Sequence, residues 1–209
     1  MLAIIPARGG SKRLTKKNFL KLGKWPLIDW TVRAAISSKC FSKIIISTDM
    51  EEIINYYKDR DNVQCIERSQ QLSQDNTRSE EVILDILKKF SKNNQAFCLL
   101  QPTSPFRLPE DLVSCVQHYK AMMGPSVISG MREPHSQTFE QHSLDSFDKK
   151  ALNGAIYITS TEHFLLNRTL YTDPFYLYNM PINRSLDIDT IHDFNNAKLM
   201  VKRFEKLIR

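Results

Sequence analysis

Short apolar runs alternate with amphipathic segments along roughly the first 130 residues of the chain. The runs are bounded by polar residues and are too short for ordinary helices. Uninterrupted apolar strands of this kind are typical of parallel sheets that are covered on both faces. The predicted strands of this region are residues 2–6, 43–47, 63–66, 96–100 and 126–129.

The intervening segments place apolar residues three and four positions apart, which is the spacing of an amphipathic helix. Pro26 and Pro109 suit the first turn of a helix, and Thr48 with Asp49 can cap the helix that follows them. The predicted helices are residues 26–36, 51–57, 80–90 and a segment that begins at 109.

The polar stretch 131–152 interrupts this alternation, and we interpret it as a loop or a short excursion from the sheet. Beyond it the pattern predicts strands at 155–159 and 175–180 and a short helix at 162–166. The last helix is predicted to start at Thr190, because Asp193 completes a capping box there. Together these elements predict a three-layer α/β/α, Rossmann-like fold with a mostly parallel central sheet.

A chain of 209 residues has room for one α/β domain, which we take to span 1–209. No apolar run approaches the ~18–20 residues of a membrane span, and residues 1–10 lack the layout of a secretory signal. We therefore expect a cytoplasmic protein that does not bind membranes. The four cysteines show no metal-ligand spacing and are expected to be free thiols.

The net charge of +6 favours an anionic partner. Cations are concentrated near the N-terminus, whereas the rest of the chain mixes both signs, so the sequence predicts a local anion site and no nucleic-acid-binding face. The clustered cations are Arg8, Lys12, Arg13, Lys16, Lys17 and Lys21.

The first strand runs into a loop with two glycines, a serine and several cations, in the sequence IIPARGGSKRLTKKN (4–18). Glycines let backbone N–H groups turn toward an anion, and nearby cations neutralise polyphosphate. The loop has neither the GxxxxGK spacing of a Walker A loop nor a GxGxxG dinucleotide motif. It predicts a phosphate site of another design, with an exposed basic turn as the simpler alternative.

Asp187 and Asp189 flank Ile188 just before the last helix. In an extended segment the two carboxylates point to the same side while Ile188 faces the core. Such a pair suits Mg²⁺, with Mn²⁺ as a second candidate, because these ions prefer oxygen ligands and bridge substrate phosphates. Acidic residues also favour a helix N-terminus, which is the alternative explanation for the pair.

Ordered blocks across nearly the whole chain resemble the acylneuraminate cytidylyltransferase family, the CMP-sialic acid synthetases, which includes the enzymes for pseudaminic and legionaminic acid. The blocks are IIPARGGSK, PLIDWT, IIISTD, ERSQQLSQDNTRS, LLQPTSPFR, LNGAIYI and LDIDT. The resemblance implies a nucleotidyltransferase fold and CMP transfer from CTP to the anomeric hydroxyl of a nonulosonic acid, with release of pyrophosphate. It also implies a homodimer and a role in lipopolysaccharide or capsule synthesis.

The resemblance assigns three sets of residues. The nucleotide set is Ala7, Arg8, Gly9, Ser11, Lys12, Lys17, Asn18, Arg68 and Ser79. The sugar set is Gln101, Thr103, Ser104, Tyr157 and Tyr171. The catalytic set is Arg8, Lys12, Lys17, Asp187 and Asp189, in which the two aspartates are the metal ligands.

The five histidines lie outside the matching blocks, so we hypothesise that the metal lowers the pKa of the attacking hydroxyl. Segment 131–152 is shorter than in the family, and Lys149 and Lys150 precede the LNGAIYI block where an aromatic–arginine pair is expected. Either lysine is a candidate for the sugar carboxylate, and 131–152 for the dimer contact.

Three alternatives remain from the sequence. A transferase for the eight-carbon acid KDO typically carries Gly-Asp-Glu-Pro after its fourth strand, whereas this chain has Gln-Pro-Thr-Ser-Pro at 101–105. An inactive paralogue would bind CTP without turnover. A basic binding module without catalysis would require the Asp187 and Asp189 pair to be incidental.

Overall fold

The computed structural model describes residues 1–11, 13–74, 76–90, 96–131 and 137–208. Its strands are β1 (Leu2–Pro6), β2 (Lys21–Leu22), β3 (Trp25–Pro26), β4 (Lys43–Thr48), β5 (Val63–Glu67), β6 (Ala96–Leu99), β7 (Val127–Gly130), β8 (Phe139–His142), β9 (Leu152–Ser160) and β10 (Phe175–Asn179). Its α-helices are α1 (Leu27–Ser38), α2 (Glu51–Tyr57), α3 (Ser79–Phe90), α4 (Pro109–Met122), α5 (Thr161–Asn167) and α6 (Ile191–Phe204).

The central sheet has the strand order β5-β4-β1-β6-β9-β7-β10-β8. Strands β4, β5 and β6 extend β1 in parallel, and β7 pairs in parallel with β10. Strand β9 lies antiparallel between β6 and β7, and β8 is antiparallel to β10 at the edge. The predicted mostly parallel α/β sheet is confirmed.

Alternating side chains of the strands bury into two separate apolar layers. In β1, Ala3 and Ile5 face the layer that contains α1, α2 and α4, whereas Leu2 and Ile4 face the layer that contains α3 and α5. Helices therefore cover both faces of the sheet, as the uninterrupted apolar strands predict. A third apolar cluster packs α6 against the β2–β3 hairpin and the start of α1.

Most predicted elements lie within two or three residues of their predicted bounds, and the differences have local causes. Pro26 precedes α1 as its N-cap residue, so the helix itself begins at Leu27. The capping box of Thr190 with Asp193 is present at the start of α6, as predicted. Strand β9 begins at Leu152 and is longer than predicted, because it pairs with strands on both sides.

The prediction of a loop over 131–152 is wrong for part of that segment. Phe139–His142 forms the edge strand β8, although residues 132–136 lie outside the described part of the chain. The sequence FEQH shows no apolar alternation, so local pattern does not reveal the strand. Its position depends instead on pairing with β10 and on ring contacts with α4.

The cysteines are free thiols, as predicted, and Cys98 and Cys115 are buried. Across the described ranges, none of the helices is both long enough and apolar enough to cross a lipid bilayer.

The ring of His118, on α4, anchors the edge strand. It stacks on Phe139 with ring centroids 3.9 Å apart and contacts Tyr176 edge-on at 4.6 Å. Its Nε2 atom is buried and has no hydrogen-bond partner in the parts of the chain described. Burial lowers the pKa of His118 below its usual value, since the charged ring would lose hydration.

This lowered pKa predicts that acid weakens the fold. Below about pH 6.5 the unfolded chain binds a proton at His118 that the folded chain resists, so the free energy of unfolding should fall as the pH drops through this range. His118→Phe keeps a stacked ring without a titrating group. Urea unfolding at pH 7 and pH 5 should show a smaller loss for the variant than for the wild type. An equal loss would contradict this account.

Candidate active site

The predicted site residues gather at one edge of the sheet. Strands β1, β4, β5 and β6 are parallel, so their carboxyl ends meet at this edge, where α/β sheets bind ligands. Arg8 follows β1, Arg68 follows β5 and Gln101 follows β6. The segment 186–190, which leads into α6, is hydrogen-bonded to the loop after β6 through Ile188 and Thr103.

The loop after β1 is fixed by a carboxylate from the end of β4. The Gly9 N–H donates to Oδ1 of Asp49 over 2.7 Å, and a Cβ atom at Gly9 would lie only 2.9 Å from Cγ of Met50. This glycine permits a close approach between the loop and the start of α2. The Gly9 N–H is therefore used inside the protein and does not point to a ligand.

The prediction that Thr48 and Asp49 cap α2 is wrong for Asp49, because its carboxylate bonds to Gly9. The N-cap residue is Met50, with no side-chain cap, and Asp49 does not act as one. Thr48 contributes only by accepting a hydrogen bond from the Met50 N–H, at 3.1 Å. The physical reason is that the Asp49 carboxylate bonds to a loop distant in sequence, which local helix signals do not show.

Further side chains hold the loop from within. Asn18 donates from Nδ2 to the carbonyl of Arg8 at 3.0 Å, and its buried Oδ1 has no partner among the residues the structure describes. Arg8 itself donates to the carbonyl of Gln74 at 2.8 Å. Ser11 donates its backbone N–H to Gly9, and the buried Ala7 donates its own to Ser47. Lys12 lies outside the described residues.

Arg68 is buried beside this loop. Its Nε donates to Oγ of Ser47 at 3.1 Å and its Nη2 to the Ser47 carbonyl at 2.9 Å. Burial lowers the pKa of Arg68 to about 10, partly offset by the charge of Asp49, and Arg8 lowers it further. Arg68 thus remains protonated at neutral pH and adds positive charge near Arg8. Ser79 is exposed as the first residue of α3.

Lys17 connects the basic loop to the acidic pair. Its ammonium donates to the carbonyl of Ile188 at 2.7 Å and to Oδ1 of Asp189 at 2.9 Å. Only 9% of Lys17 is exposed, whereas the Asp189 side chain is 58% exposed. Ile188 is fully buried, as predicted, and its N–H donates to the carbonyl of Thr103 at 2.8 Å.

Asp187 and Asp189 are both exposed on either side of Ile188. Surrounding protein that limits hydration raises the pKa of Asp187, and the negative charge of Asp189 adds to this. The hydroxyl of Thr103 donates to Asp187 and opposes the shift, as does the charge of Lys17. Two nearby carboxylates with like charge form an oxygen-only donor set that suits a hard cation such as Mg²⁺. The described residues contain no cluster of three or more potential metal-binding side chains.

The predicted sugar residues lie on β9 and on the loop after β6. Gly154 has a φ of +72°, and a Cβ atom there would collide with Oε1 of Gln101. Ser104 is fully buried and donates to the carbonyl of Asn153 at 3.1 Å, so its hydroxyl supports the loop. Thr103 contacts the acidic segment through its carbonyl and its hydroxyl.

Two tyrosines and a lysine form the outer part of this region. The rings of Tyr157 and Tyr171 meet edge to face with centroids 6.4 Å apart, and burial raises the pKa of both hydroxyls. The ammonium of Lys149 lies 5.3 Å from the centroid of the Tyr171 ring. A cation is therefore present at the segment where the sequence lacks the expected arginine.

The described histidines lie away from the carboxylate pair, except for one in the first turn of α6. His118 and His142 contact aromatic rings, and His163 bonds to the carbonyl of Tyr171. His192 is exposed next to Asp193. His135 lies outside the described residues.

Sequence reasoning missed two residues that organise the site. Asp49 stands directly after β4 at the ligand-binding edge, and that position was an available signal. Arg107 is fully buried and bonds to the Gln101 carbonyl, which no local pattern indicates.

Comparison with known proteins identifies the family. A sequence model described as cytidylyltransferase matches residues 2–207. The chain belongs to the cytidylyltransferase family. It is 33% identical to a CMP-N,N'-diacetyllegionaminic acid synthase from Legionella pneumophila, over all of this chain and 99% of that protein.

Two further similarities extend this assignment. The chain is 34% identical to an N-acylneuraminate cytidylyltransferase from Streptococcus agalactiae, over 92% of this chain but only 51% of that protein. The chain thus spans about half the length of that relative. A solved structure of a CMP:2-keto-3-deoxy-manno-octonic acid synthetase matches with a TM-score of 0.66 at 13% identity, over 97% of this chain and 98% of the other, which shows a shared fold.

The close approach at Gly154 predicts a specific sensitivity to substitution. Gly154→Ala should destabilise the fold by about 1–2 kcal/mol, because a positive φ strains a Cβ-bearing residue, and the new Cβ would also displace the end of the Gln101 side chain. Gly10→Ala is the control, since Gly10 lies outside the left-handed φ range and its new Cβ would meet only the Ser73 carbonyl, at 4.0 Å. Urea unfolding should show a lower midpoint for Gly154→Ala than for Gly10→Ala; equal midpoints would contradict the strain at Gly154.

Proposed function

We propose that this chain transfers CMP from CTP to the anomeric hydroxyl of a sialic-acid-like nonulosonic acid and releases pyrophosphate. The observation that carries the proposal is the 2.9 Å contact between Nζ of Lys17 and Oδ1 of Asp189. It brings the cationic loop against the acidic pair, at the same edge of the sheet as Gln101. The full-length similarity to the legionaminic acid synthase supports this class of sugar.

On the nucleotide side, Arg8, Lys17 and Arg68 would bind the CTP phosphates and the cytidine. In-line attack on the α-phosphorus places growing negative charge on the pyrophosphate, which fixed cations stabilise. Lys17 would exchange part of its contact with Asp189 for a phosphate oxygen. Because its side chain is nearly buried, this charge is already oriented before CTP binds.

We further propose that Asp187 and Asp189 hold Mg²⁺, or Mn²⁺ in its place. The exposed carboxylates and the raised pKa of Asp187 beside a like charge fit a bound cation. When bound, such an ion neutralises phosphate charge and polarises the oxygens it contacts. The chain's own contribution is to bury Ile188 between the two carboxylates and to orient Asp189 through Lys17.

On the sugar side, the amide of Gln101 and the hydroxyls of Tyr157 and Tyr171 would bind polar groups of the acceptor. The sugar carboxylate requires a positive partner, and the position of Lys149 above the Tyr171 ring favours Lys149 for this role. A lysine provides a point charge and not the paired donors of an arginine.

Two alternatives to this proposal are a KDO-type transferase, against which the sequence of one loop counts, and an inactive paralogue, which one short segment favours. The likeness to the KDO-type synthetase structure shows the fold alone, and the loop at 101–105 differs from the one typical of that activity. An inactive CTP-binding paralogue would keep the phosphate loop but lack a competent sugar region, where segment 131–152 is short.

The cellular setting is also a proposal. We propose a cytoplasmic homodimer that supplies the activated CMP-sugar for lipopolysaccharide or capsule synthesis. The similarity to bacterial sugar-activating relatives supports the pathway class, and segment 131–152, with the edge strand β8, supplies a candidate dimer contact.

The reaction can be tested by pyrophosphate release with CTP and Mg²⁺ against sialic, legionaminic, pseudaminic and KDO acids. We expect turnover with at least one nine-carbon acid, none with KDO, and little when ATP, GTP or UTP replaces CTP. Turnover with KDO alone would favour the eight-carbon alternative. CTP binding without release from any sugar would favour the inactive paralogue.

Removing either partner of the central contact should stop the reaction without unfolding the chain. Lys17→Met should lower kcat by about 100-fold, which is typical for loss of one transition-state charge contact. Asp189→Ala should abolish turnover with only a modest fall in the urea midpoint, because the carboxylate is exposed and Lys17 keeps its bond to the Ile188 carbonyl. Lys202→Met, an exposed change on α6, is the control. If Lys17→Met kept the kcat of the wild type, Lys17 would have no role in the proposed mechanism.

A further inference from the structure

Arg107 is an unusual cation in this structure. Its guanidinium is fully buried, on the loop between β6 and α4. Nη1 donates to Oγ1 of Thr31 at 2.8 Å, Nη2 donates to the carbonyl of Gln101, and the buried Nε has no partner among the described residues. All of its hydrogen-bond partners there are neutral oxygens.

The buried Arg68 also bonds to neutral oxygens, whereas three other arginines that contact the interior have carboxylate partners. Arg33 and Arg60 pair with the buried Asp29, and Arg184 pairs with the buried Asp111. In the described part of the chain no such ion pair is formed by Arg107. A buried charge without a paired carboxylate is costly, because the loss of hydration is not offset by an opposite charge. Stability alone therefore does not explain an arginine at this position.

The directions of the two hydrogen bonds indicate what Arg107 does. Thr31 belongs to α1, a helix of the core, whereas Gln101 is the second residue after β6 at the ligand edge. The guanidinium thus fixes the Gln101 peptide to α1 from beneath the site. On the opposite side, Gly154 leaves space for the Gln101 amide, which a Cβ atom at that position would occupy.

The charged groups around Arg107 indicate that its guanidinium lies beneath the candidate site. The carboxylates that act on its charge are Asp111 on α4 and Asp187 at the ligand edge. Burial lowers the pKa of Arg107 to about 10, so it stays protonated at neutral pH. The loop after β6 therefore carries a permanent positive charge below the Gln101 peptide.

We propose that Arg107 is a positioning residue for the acceptor sugar: it fixes the Gln101 peptide against α1, so that the Gln101 amide is oriented before the sugar binds. This inference rests on the proposed function. A positioning role differs from a purely structural one because it predicts that loss of Arg107 weakens the binding of the sugar and not the binding of CTP. The nucleotide residues, from the loop after β1 to Arg68, contact other elements and should not respond.

The test compares four variants by steady-state kinetics and urea unfolding. Arg107→Met keeps the length of the side chain and removes its charge and donors; Arg107→Lys keeps the charge and can reach one acceptor. Thr31→Val removes the hydroxyl partner alone, and Arg203→Met changes an exposed arginine on α6 as the control.

For Arg107→Met we expect the KM for the sugar to rise about tenfold or more and the KM for CTP to stay within about twofold. The urea midpoint should change little, because relief of the buried charge offsets the two lost hydrogen bonds. Arg107→Lys should recover part of the sugar KM, and Thr31→Val should show a smaller increase. Arg203→Met should match the wild type. Equal increases in both KM values, or a lower midpoint with an unchanged sugar KM, would overturn the proposal.

A second measurement does not depend on turnover. Hydrogen exchange followed by mass spectrometry should show faster exchange over residues 100–104 in Arg107→Met and Thr31→Val, with no change in the loop after β1. Unchanged exchange over 100–104 would overturn the positioning role even if the wild type proved inactive. Absence of pyrophosphate release by the wild type with every sugar would instead count against the proposed function.

Discussion

The rest of the site depends on the two hydrogen bonds of the Lys17 ammonium, to the carbonyl of Ile188 and to the carboxylate of Asp189. They join the loop after the first strand to the segment before the last helix, 171 and 172 residues further along the chain. Because Lys17 is almost fully buried, its charge would be costly without these oxygens. The loop after β1 and the acidic pair therefore come together only when the segment before α6 is packed against the rest of the fold.

That packing is apolar in origin. Ile188 belongs to the cluster that joins α6 to Trp30 of α1 and to Phe106 beside Arg107. Because Ile188 is buried, the carboxylates of Asp187 and Asp189 on either side of it point outward. The hydrogen bond from the Ile188 N–H to the Thr103 carbonyl fixes the position of this segment against the loop after β6. The hydrophobic contacts of α6 with Ile188 therefore determine the position of the two carboxylates.

Sequence pattern was sufficient where local chemistry determines the structure. The apolar runs gave β1 and β4 nearly to the residue, the capping box gave the start of α6, and extended geometry gave the buried Ile188. Sequence pattern was insufficient where a residue distant in the chain determines the structure. Strand β8 depends on stacking against α4, and Asp49 bonds to Gly9 in another loop. The charged site residues were found through ordered motifs, whereas the groups that orient them required the tertiary structure.

The buried arginines near the candidate site and the arginines elsewhere in the fold have different kinds of hydrogen-bond acceptor. Arg68 and Arg107 donate to hydroxyl and carbonyl oxygens, whereas Arg33 and Arg184 pair with buried aspartates. A neutral oxygen orients a guanidinium without cancelling its charge, so the field at the ligand edge stays positive for a polyphosphate. Lys17 is different, since Asp189 partly neutralises it. A phosphate oxygen must compete with that carboxylate, and a cation bound to Asp189 would favour the exchange by releasing the lysine.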